Sequence, residues 1–293
     1  MRILVTDDNN INQKVLLSLL QRLGYRAGVA GDGLEAVQAM EKDAYDLVFM
    51  DVQMPKMDGL EATQRIRHFE ARKTRPGSPG RPAVIIALTA RTMPGDREKC
   101  LAAGMDDFLS KPVRSEALQA TLENWGVTVL GRRAQVQPTP VIAGGVGGRG
   151  ELSPLGTAVP AFSPPVVPPP LPAPAPAPVE TPPVDIERLI EFSNGDLKCL
   201  RELIDLYLTQ TQGRLEKLRA AVESRAVNEV QHLAHSSAGA SATCGMARIY
   251  VPLKELENMA LEGRLERAAE VMGQVTREYE AIRLFLANHQ FSP

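Results

Sequence analysis

Five polar side chains that could do chemistry follow short apolar runs in the first part of the chain. Asp7 and Asp8 come after the first run, Asp51 after the third, Thr89 after the fourth and Lys111 after the fifth. Carboxylates that crowd together repel one another unless a hard cation neutralises them, and Mg²⁺ prefers such oxygen ligands. The set therefore predicts a Mg²⁺ site at which a phosphate would lie between the metal, the Lys111 ammonium and the Thr89 hydroxyl.

A second candidate is His235, in a helix predicted over Ala226–Cys244. At about 100° per residue, His235 lies about 140° from the core-facing Val230, so its imidazole is expected to be exposed. The side chains one turn on are small, namely Ala238, Gly239 and Ala242. Glycine in mid-helix costs about 1 kcal/mol relative to alanine, which suggests a need for clearance by another protein, with tight helix packing as the alternative. His232, one turn earlier, is interpreted as a surface residue.

The first candidate site needs its side chains brought to one edge of a sheet. Short apolar runs alternate with segments of helical period over residues 1–126, and the last helix is predicted over Ser115–Trp125. The predicted strands are Ile3–Val5, Arg26–Ala30, Leu47–Met50, Val84–Leu88 and Asp107–Leu109. Five strand–helix units predict a doubly wound α/β domain, a five-stranded parallel sheet with helices on both faces. In such sheets function gathers at the carboxyl ends of the strands, where all five side chains stand.

Composition divides the chain into three parts. Of the 23 prolines, 15 lie between Pro138 and Pro183, where the sequence shows no period of 2 or 3.6. Residues 127–183 are therefore predicted to be a disordered Pro/Ala/Gly-rich linker that favours extended polyproline II in part. Residues 184–293 carry apolar stripes at helical spacing, which predict an all-α antiparallel four-helix bundle with a short leading helix.

Charge and cysteine content exclude several classes of protein. The 33 basic and 35 acidic side chains give a net charge of -2, which argues against a nucleic-acid-binding protein. The three cysteines form no CxxC pair, so a zinc site or a disulfide framework is not expected. The uncharged stretch 152–179 is rich in proline and the N-terminus lacks a signal-peptide h-region, so membrane insertion of this chain is not expected. The expected location is the cytoplasm.

Residues 1–125 resemble the receiver domain of two-component response regulators, which has a flavodoxin-like fold. The resembling motifs occur in the family's order: Thr6-Asp7-Asp8-Asn9, Met50-Asp51-Val52-Gln53-Met54-Pro55-Lys56-Met57-Asp58-Gly59, Leu88-Thr89-Ala90 and Leu109-Ser110-Lys111-Pro112. The resemblance implies that Asp51 is the phosphoacceptor, whose carboxylate attacks a phosphohistidine of a partner. It also implies that Mg²⁺ is held by Asp51, by Asp8 directly, by Asp7 through water or a second contact, and by the backbone carbonyl of Gln53.

The same resemblance assigns roles to four further positions. Lys111 would pair with the phosphoryl oxygens, and Thr89 would hydrogen-bond the phosphoryl group and shift when it arrives. Phe108 stands at the position of the switch aromatic, which couples this shift to the outer surface. The peptide bond before Pro112 would be cis and would position Lys111.

Residues 184–290 resemble a histidine phosphotransfer domain. The resemblance rests on Ala234-His235, on Gly239 and Gly245 after it, and on Leu253-Lys254-Glu255-Leu256-Glu257. It implies that His235 is a phosphoacceptor that attacks with a neutral imidazole nitrogen. The family usually has a lysine three residues after the histidine, and Ala238 stands there in this chain. Transfer is then expected to be slower, or another cation to substitute.

Together the two resemblances imply an intermediate of a multistep phosphorelay. A sensor histidine kinase would phosphorylate Asp51, and His235 would relay the phosphoryl group to or from the aspartate of a downstream response-regulator receiver. The transfer could run within one chain or between chains. The cytoplasmic chain would be either free or the cytosolic part of, or associated with, a membrane hybrid kinase. No Gly-rich nucleotide site occurs in the sequence, so we expect no enzyme activity beyond the receiver's own phosphorylation and dephosphorylation.

Two alternatives compete with this interpretation. In a phosphorylation-gated binding module the helical bundle would not be competent for phosphotransfer and His235 would be idle, and Ala238 in place of lysine favours that reading. A phosphohydrolase of receiver-like fold would need an aspartate two residues after its nucleophile as general acid. Gln53 stands at that position, which argues against a phosphohydrolase.

Overall fold

The computed structural model describes residues 1–73, 82–89, 94–134, 182–193 and 196–289. Within these residues a parallel sheet with its helices forms the N-terminal domain, and a helical bundle forms the C-terminal domain. Most of the predicted linker, residues 135–181, lies outside the described residues. No helix among the described residues combines the length and the apolar character that a membrane span requires.

The N-terminal sheet has five parallel strands in the order β2-β1-β3-β4-β5, which confirms the predicted doubly wound α/β domain. The strands are β1 (Ile3–Thr6), β2 (Ala27–Ala30), β3 (Leu47–Asp51), β4 (Val84–Thr89) and β5 (Asp107–Ser110). β1, β3 and β4 are almost wholly apolar and buried because helices cover both faces of the sheet. The register pairs Asp51 with Leu88 and Thr89 with Ser110, so the carboxyl ends of β3, β4 and β5 lie along one edge.

Among the described residues, five helices flank the sheet: α1 (Asn10–Arg22), α2 (Gly33–Lys42), α3 (Gly59–Lys73), α4 (Pro94–Ala103) and α5 (Ser115–Ala134). α1 begins where the Asn9 side chain accepts a hydrogen bond from the backbone N–H of Ile11, at 3.0 Å. α2 begins in the same way at Asp32, which accepts from the N–H of Glu35 at 2.9 Å. Such caps satisfy N–H groups that have no partner inside the helix, so polar residues placed after β1 and β2 determine where these helices start.

α5 is longer than the sequence predicts. The predicted helix ends at Trp125, whereas α5 continues to Ala134, so residues 127–134 are helical and are not part of a linker. Leu122, Gly126 and Val129 all lie on the buried side of the helix. A glycine costs about 1 kcal/mol in a helix interior, and the burial of apolar side chains on both sides of it offsets that cost.

The C-terminal domain is the expected bundle of four long helices with a short leading helix. Its elements are α6 (Ile186–Ser193), α7 (Leu197–Glu223), α8 (Val227–Thr243), α9 (Ala247–Leu261) and α10 (Ala268–Asn288). α7 begins at Asp196, whose side chain accepts hydrogen bonds from the N–H groups of Lys198 and Cys199. Gly245 at φ 75° and Gly263 at φ 68° follow α8 and α9 in left-handed backbone, which costs other residues about 1–2 kcal/mol.

α8, the helix that carries His235, packs between α7 and α9. The hydroxyl oxygens of Tyr207 and Ser241 lie 3.0 Å apart between α7 and α8. The Tyr279 hydroxyl donates to the backbone carbonyl of Leu208 at 2.8 Å, which joins α10 to α7. These bonds satisfy hydroxyl groups that burial would otherwise leave without partners. They also hold the helices of the bundle, including α8 with His235, in a defined position.

The two domains pack against each other along α1. This helix contacts α6, α7 and α8 of the bundle. The buried apolar core continues from the sheet domain through the interface into the bundle. The carboxyl edge of the sheet, where β1 ends and α1 begins, is thereby brought next to α8.

Candidate functional site

Three carboxylates converge at the carboxyl edge of the sheet. Oxygens of Asp7, Asp8 and Asp51 all lie within 4.8 Å of one another. Asp7 and Asp51 are buried, with 1% and 2% of their surfaces exposed. The parallel pairing of β1 with β3 brings the three together, since Asp7 and Asp8 follow β1 and Asp51 ends β3.

Lys111 is the counter-ion of this acidic cluster. Its Nζ lies 2.7 Å from Asp7 Oδ2 and 2.7 Å from Asp51 Oδ2. Backbone N–H groups also donate to the carboxylates, from Asn9 to Asp7 Oδ1 at 2.9 Å and from Gln53 to Asp51 Oδ1 at 3.3 Å. The ammonium is thereby placed against the carboxylate that the sequence predicts as the phosphoacceptor.

One ammonium does not neutralise three carboxylates, two of which are buried. Burial raises the pKa of Asp51 to about 7 against the opposing effect of Lys111, and the neighbouring Asp7 adds to the rise. Burial and the charge of Asp7 also raise the pKa of Asp8. Burial by itself would lower the pKa of Lys111, but the carboxylates of Asp51 and Asp7 raise it above its ordinary value. A divalent cation would supply the missing positive charge, and carboxylate oxygens are the donors that Mg²⁺ prefers, so the residues present fit this metal.

Three more of the predicted residues lie on β4, on β5 or just after β5. Thr89 ends β4, is partly buried and lines the same cavity as Asp51. Phe108 lies in β5 with 36% of its surface exposed, and the guanidinium carbon of Arg97 is 5.6 Å from the centre of its ring. The peptide bond between Lys111 and Pro112 is cis. The parallel sheet therefore gathers the acidic residues, Thr89 and Lys111 at one edge, whereas Phe108 lies within the outer strand β5.

The expectation that His235 is exposed is wrong. Only 8% of its surface is exposed. The carboxyl edge of the sheet faces α8 at this point, and α9 packs against α8 from another side. A helical wheel shows only which side of α8 is apolar. In the folded chain, α9 and the N-terminal domain together cover the side of α8 that carries His235.

His235 belongs to a buried hydrogen-bonded chain that continues into α9. Its Nδ1 lies 3.1 Å from Oε1 of the fully buried Glu257, and the Nζ of Lys254 lies 2.5 Å from Oε2 of the same carboxylate. Burial by itself would raise the pKa of Glu257, but the hydrogen bonds and charges of His235 and Lys254 lower it to about 2. Glu257 is therefore ionised at neutral pH and accepts a hydrogen bond from Nδ1–H, which leaves Nε2 as the nitrogen with a free lone pair.

Glu257 and Lys254 are site residues that the sequence prediction misses. Their spacing of three residues on a predicted helix was the available signal, because opposite charges at that spacing pair on one face. Ala238 itself is buried, with 1% of its surface exposed, so α8 supplies no cation at the position of the usual lysine. Lys254 on α9 instead places an ammonium against Glu257, the carboxylate that His235 contacts.

Both candidate sites open into one cavity of about 600 Å³ between the two domains. Its lining includes Asp51, Gln53 and Thr89 from the sheet domain and His232 and His235 from α8. The Nε2 of His232 also lies 3.5 Å from Asp8 Oδ2. The carboxylate and the imidazole that the sequence predicts as phosphoacceptors therefore face the same space.

This arrangement defines a class of protein. An acidic cluster with a lysine at the carboxyl edge of a doubly wound sheet can bind Mg²⁺ and accept a phosphoryl group. A histidine with a free Nε2 can accept one as well. Two such groups facing one cavity are the parts of a phosphotransfer signalling protein.

Comparison with known families is in agreement. Residues 3–123 match the response regulator receiver domain, and residues 202–284 match the Hpt domain. The chain therefore contains a response regulator receiver domain followed by a C-terminal Hpt domain. This pair of domains implies phosphorelay signal transduction between a histidine kinase and receivers.

Several known signalling proteins are similar to part of the chain. Hybrid signal transduction histidine kinase B of Dictyostelium discoideum is 45% identical over 117 residues, which make up 39% of this chain and 6% of that protein. Sensor histidine kinase RcsC of Salmonella typhi is 40% identical over 134 residues, 46% of this chain and 13% of that protein. Response regulator mcs4 of Schizosaccharomyces pombe is 37% identical over 142 residues, 42% of this chain and 27% of that protein. The chain thus spans at most 27% of the length of these three relatives.

Solved structures show the same partial match. One is a chain in the co-crystal structure of the Saccharomyces cerevisiae histidine phosphotransfer signaling protein Ypd1 and the receiver domain of its downstream response regulator Ssk1. It is 36% identical, with 44% of this chain and 90% of that chain covered and a TM-score of 0.41. The receiver domain of sensor histidine kinase PA1611 from Pseudomonas aeruginosa was solved with a magnesium ion in its active site cleft. It is 43% identical, with 42% of this chain and 95% of that chain covered and a TM-score of 0.37.

Proposed function

We propose that this chain is a phosphorelay intermediate whose two acceptors are Asp51 and His235. Asp51 takes a phosphoryl group from the phosphohistidine of a sensor histidine kinase, and His235 relays it to or from the aspartate of a receiver. The observation that carries the proposal is the shared cavity, because Asp51 and His235 both line one space of about 600 Å³.

Asp51 is the nucleophile of the receiver domain. Its carboxylate attacks the phosphorus, while Lys111 Nζ, 2.7 Å from Asp51 Oδ2, balances the negative charge of the phosphoryl oxygens. Mg²⁺ would be held by Asp7, Asp8, Asp51 and the backbone carbonyl of Gln53. When bound, the metal neutralises the carboxylates and the phosphoryl oxygens.

His235 is the nucleophile of the Hpt domain. Glu257 keeps the proton on Nδ1, so the lone pair of Nε2 attacks the phosphorus of the aspartyl phosphate. Positive charge then develops on the imidazole, and the ionised Glu257, 3.1 Å from Nδ1, stabilises it. An acyl phosphate and a phosphohistidine are both high-energy compounds, so the step is reversible.

Phosphorylation of Asp51 also changes the outer surface of the receiver domain. Thr89 would hydrogen-bond the phosphoryl group and shift toward it. Phe108, which is 36% exposed in β5, would couple this shift to the surface that partners contact.

The proposed partners are proteins that carry the complementary acceptor. A sensor histidine kinase offers a phosphohistidine to Asp51, and a downstream response-regulator receiver offers an aspartate to His235. A cytoplasmic location follows from these partners, because histidine kinases take their phosphoryl group from cytoplasmic ATP.

Radiolabelled acetyl phosphate tests the two assignments separately. The wild-type chain should first acquire a base-labile acyl phosphate on Asp51 and then an acid-labile phosphohistidine on His235. Asp51→Asn should abolish both labels, and His235→Gln should leave only the base-labile one. His68→Gln, at an exposed position on α3, is the matched histidine control and should keep both labels. Base-labile label on Asp51→Asn, or acid-labile label on His235→Gln, would contradict the proposal.

A phosphorylation-gated binding module is the second candidate, and buried Ala238 in place of a lysine favours it. In that case phosphorylation of Asp51 only changes affinity, and His235 never carries label. Affinity for a partner receiver with and without a phosphate mimic on Asp51 separates the two functions. Identical responses of the wild-type and His235→Gln chains, without any phosphohistidine, would favour the binding module.

A further inference from the structure

The Hpt bundle covers one face of the receiver domain of the same chain. Val15 of α1 faces Phe192 and Leu203 of the bundle across a small cleft. Val15 and Leu203 are each 3% exposed, and Phe192 is 4% exposed. Such an apolar seam stabilises the docked arrangement, because separation of the domains would expose these side chains to water.

Two of the hydrogen bonds between the domains lie beside the candidate sites. The Nδ2 of Asn9 donates to the backbone carbonyl of Ser236 at 2.9 Å, and the Thr243 hydroxyl donates to Asn12 Oδ1 at 3.0 Å. Asn9 follows directly after the acidic pair at the end of β1, and Ser236 follows directly after His235. The bond between Asn9 and Ser236 therefore ties the position of the histidine to that of the acidic cluster.

α8 presents a stripe of small side chains to α1. Ser236, Gly239 and Thr243 are three and four residues apart, on one face of the helix. A Cβ built on Gly239 would lie 3.7 Å from Asn12 Nδ2. Alanine would fit at this ordinary contact distance, whereas a larger side chain would push α1 away from α8. The close approach of α1 therefore limits this position of α8 to a small side chain.

Basic groups of the bundle face the acidic cluster of the receiver. The Nε2 of His232 lies 3.5 Å from Asp8 Oδ2. Arg214 on α7 interacts electrostatically with Asp8 and Asp7, and its Nη1 is buried with no hydrogen-bond partner among the described residues. A buried guanidinium is costly unless an opposite charge stabilises it, and here the opposite charges belong to the other domain. The docked surfaces are therefore complementary in charge as well as in shape.

We infer that Asp51 and His235 exchange the phosphoryl group within one chain, in this docked arrangement. The inference rests on the proposed function and adds that the histidine serving Asp51 belongs to the same molecule. The bond between phosphorus and an Asp51 carboxylate oxygen breaks as the bond from His235 Nε2 to phosphorus forms. The carboxylate leaves with the bonding electron pair, and the proton on Nδ1 stays beside Glu257.

The burial of both acceptors means that the domains alternate between two arrangements. Asp51 is 2% exposed and His235 is 8% exposed, so a folded kinase or receiver reaches them only after the domains separate. Residues 135–181 keep the separated domains joined, and such a tether holds them at an effective concentration on the order of 1 mM. The docked chain transfers internally, and the opened chain exchanges with its partners.

The kinetic order of the transfer tests this inference. The full chain is labelled on Asp51 with radiolabelled acetyl phosphate, the donor is removed, and phosphohistidine formation is followed over a range of protein concentrations. An internal step gives the same rate at every concentration. A mixture of Asp51→Asn and His235→Gln chains can transfer only between molecules, and at about 1 µM it should be on the order of 1000-fold slower.

The outcomes separate this inference from the proposed function. A rate proportional to protein concentration, or a mixture as fast as the wild-type chain, overturns internal transfer while leaving the two acceptors in place. Phosphohistidine in no sample at all overturns the proposed function, and internal transfer with it.

Gly239 offers a matched pair of variants that probe the docked arrangement. Gly239→Leu should displace α1 from α8 and slow internal transfer by about 100-fold, the loss expected for a misplacement on the order of 1 Å. Gly239→Ala should keep the wild-type rate. Both changes replace a helical glycine with a better helix former, so both bundles should unfold at or above the wild-type temperature. Internal transfer that is equally fast in the two variants would show that this docking is not the transfer state.

Discussion

At the scale of residues, one charged partner orients each proposed acceptor. Lys111 Nζ lies 2.7 Å from Asp51 Oδ2, and Glu257 Oε1 lies 3.1 Å from the Nδ1 of His235. Both pairs are buried, so water screens their charges little and each interaction is stronger than it would be at the surface. Removal of either charged partner should therefore have measurable consequences for stability as well as for transfer.

Lys111→Met should destabilise the receiver domain in the absence of Mg²⁺ by about 3–5 kcal/mol, because it leaves buried carboxylates without their counter-ion. Added Mg²⁺ should restore much of the loss, so the metal should raise the unfolding temperature more in the variant than in the wild type. Thermal unfolding with MgCl₂ and with EDTA measures both effects. Lys42→Met, at an exposed position on α2, is the control. An equal response of all three chains to Mg²⁺ would show that Lys111 and the metal do not share the same carboxylates.

Glu257→Gln should flatten the dependence of bundle stability on pH. The pKa of Glu257 is lowered to about 2 from an ordinary value of 4.5. Its ionised form therefore contributes stability that is fully present above about pH 4.5 and is lost as the pH falls toward about 2. The contribution is on the order of 3 kcal/mol. Urea unfolding across this pH range should show a steeper loss for the wild type than for the variant.

A neighbouring glutamate provides the control for this pH experiment. Glu255 lies on the same helix but is partly exposed, in a long ion pair of 3.9 Å with Arg267. Glu255→Gln should keep the wild-type slope of stability against pH. If Glu257→Gln also keeps that slope, the carboxylate is not stabilised by His235 and Lys254 as the geometry indicates.

At the scale of elements, a close approach of α3 shapes the strand that delivers Asp51. The N–H of Gly59, the first residue of α3, donates to the backbone carbonyl of Val52 at 3.0 Å. A Cβ on Gly59 would overlap the backbone carbonyl of Asp51 and crowd the Met50 side chain. Only glycine allows the helix to begin this close to the acceptor strand.

Two glycine-to-alanine variants should therefore act in opposite directions. Gly59→Ala should lower the free energy of unfolding of the receiver domain by about 1–3 kcal/mol, because α3 or β3 must move. Gly126→Ala in α5 should raise it by about 1 kcal/mol, since no described atom lies within 4 Å of a Cβ built there. Urea unfolding of the receiver domain measures both. A destabilising Gly126→Ala would contradict the continuous helix α5.

At the scale of the whole molecule, docking determines which surfaces a partner can reach. The domains bury an apolar seam along α1 and place the acidic cluster over α8. The half-buried Cys199 lines the cleft between α1 and the bundle, whereas Cys244 is fully buried in the core of the bundle. A thiol reagent can therefore report domain opening without any phosphoryl transfer.

Gly239→Leu should make Cys199 react several-fold faster with iodoacetamide than it does in the wild type or in Gly239→Ala. The reason is that separation of α1 from α8 uncovers the cleft that this thiol lines. Mass spectrometry of labelled peptides measures each cysteine separately. Cys244 is the internal control, since its fully buried thiol lies in the core of the bundle. Equal alkylation of Cys199 in the three chains would contradict the docked arrangement.

Much of the receiver site can be predicted from the sequence because it depends on patterns within single strands and on the residues that follow them. Apolar runs that end in polar residues predict parallel strands, and the carboxyl ends of parallel strands meet at one edge, so the convergence of Asp7, Asp51 and Lys111 could be predicted. The end of α5 could not, because Gly126 resembles a helix end until tertiary packing buries its neighbours. The carboxylate of Glu257 is 22 residues from His235 along the chain. Only the packing of α9 on α8 determines that the two side chains meet.

By itself, then, the sequence determined the two fold classes, the residues of the acidic cluster and the histidine that faces it. The periodicity of apolar residues shows which side of a single helix or strand is apolar, and the residue types show which positions could bind or react. The tertiary structure alone decided that His235 is buried, that Glu257 and Lys254 support it, and that Asp51 shares its cavity. These facts depend on the docking of two surfaces far apart in the chain. The free energy of that docking comes from the complementary shape and charge of the two domain surfaces. A local sequence pattern does not show whether two distant surfaces are complementary.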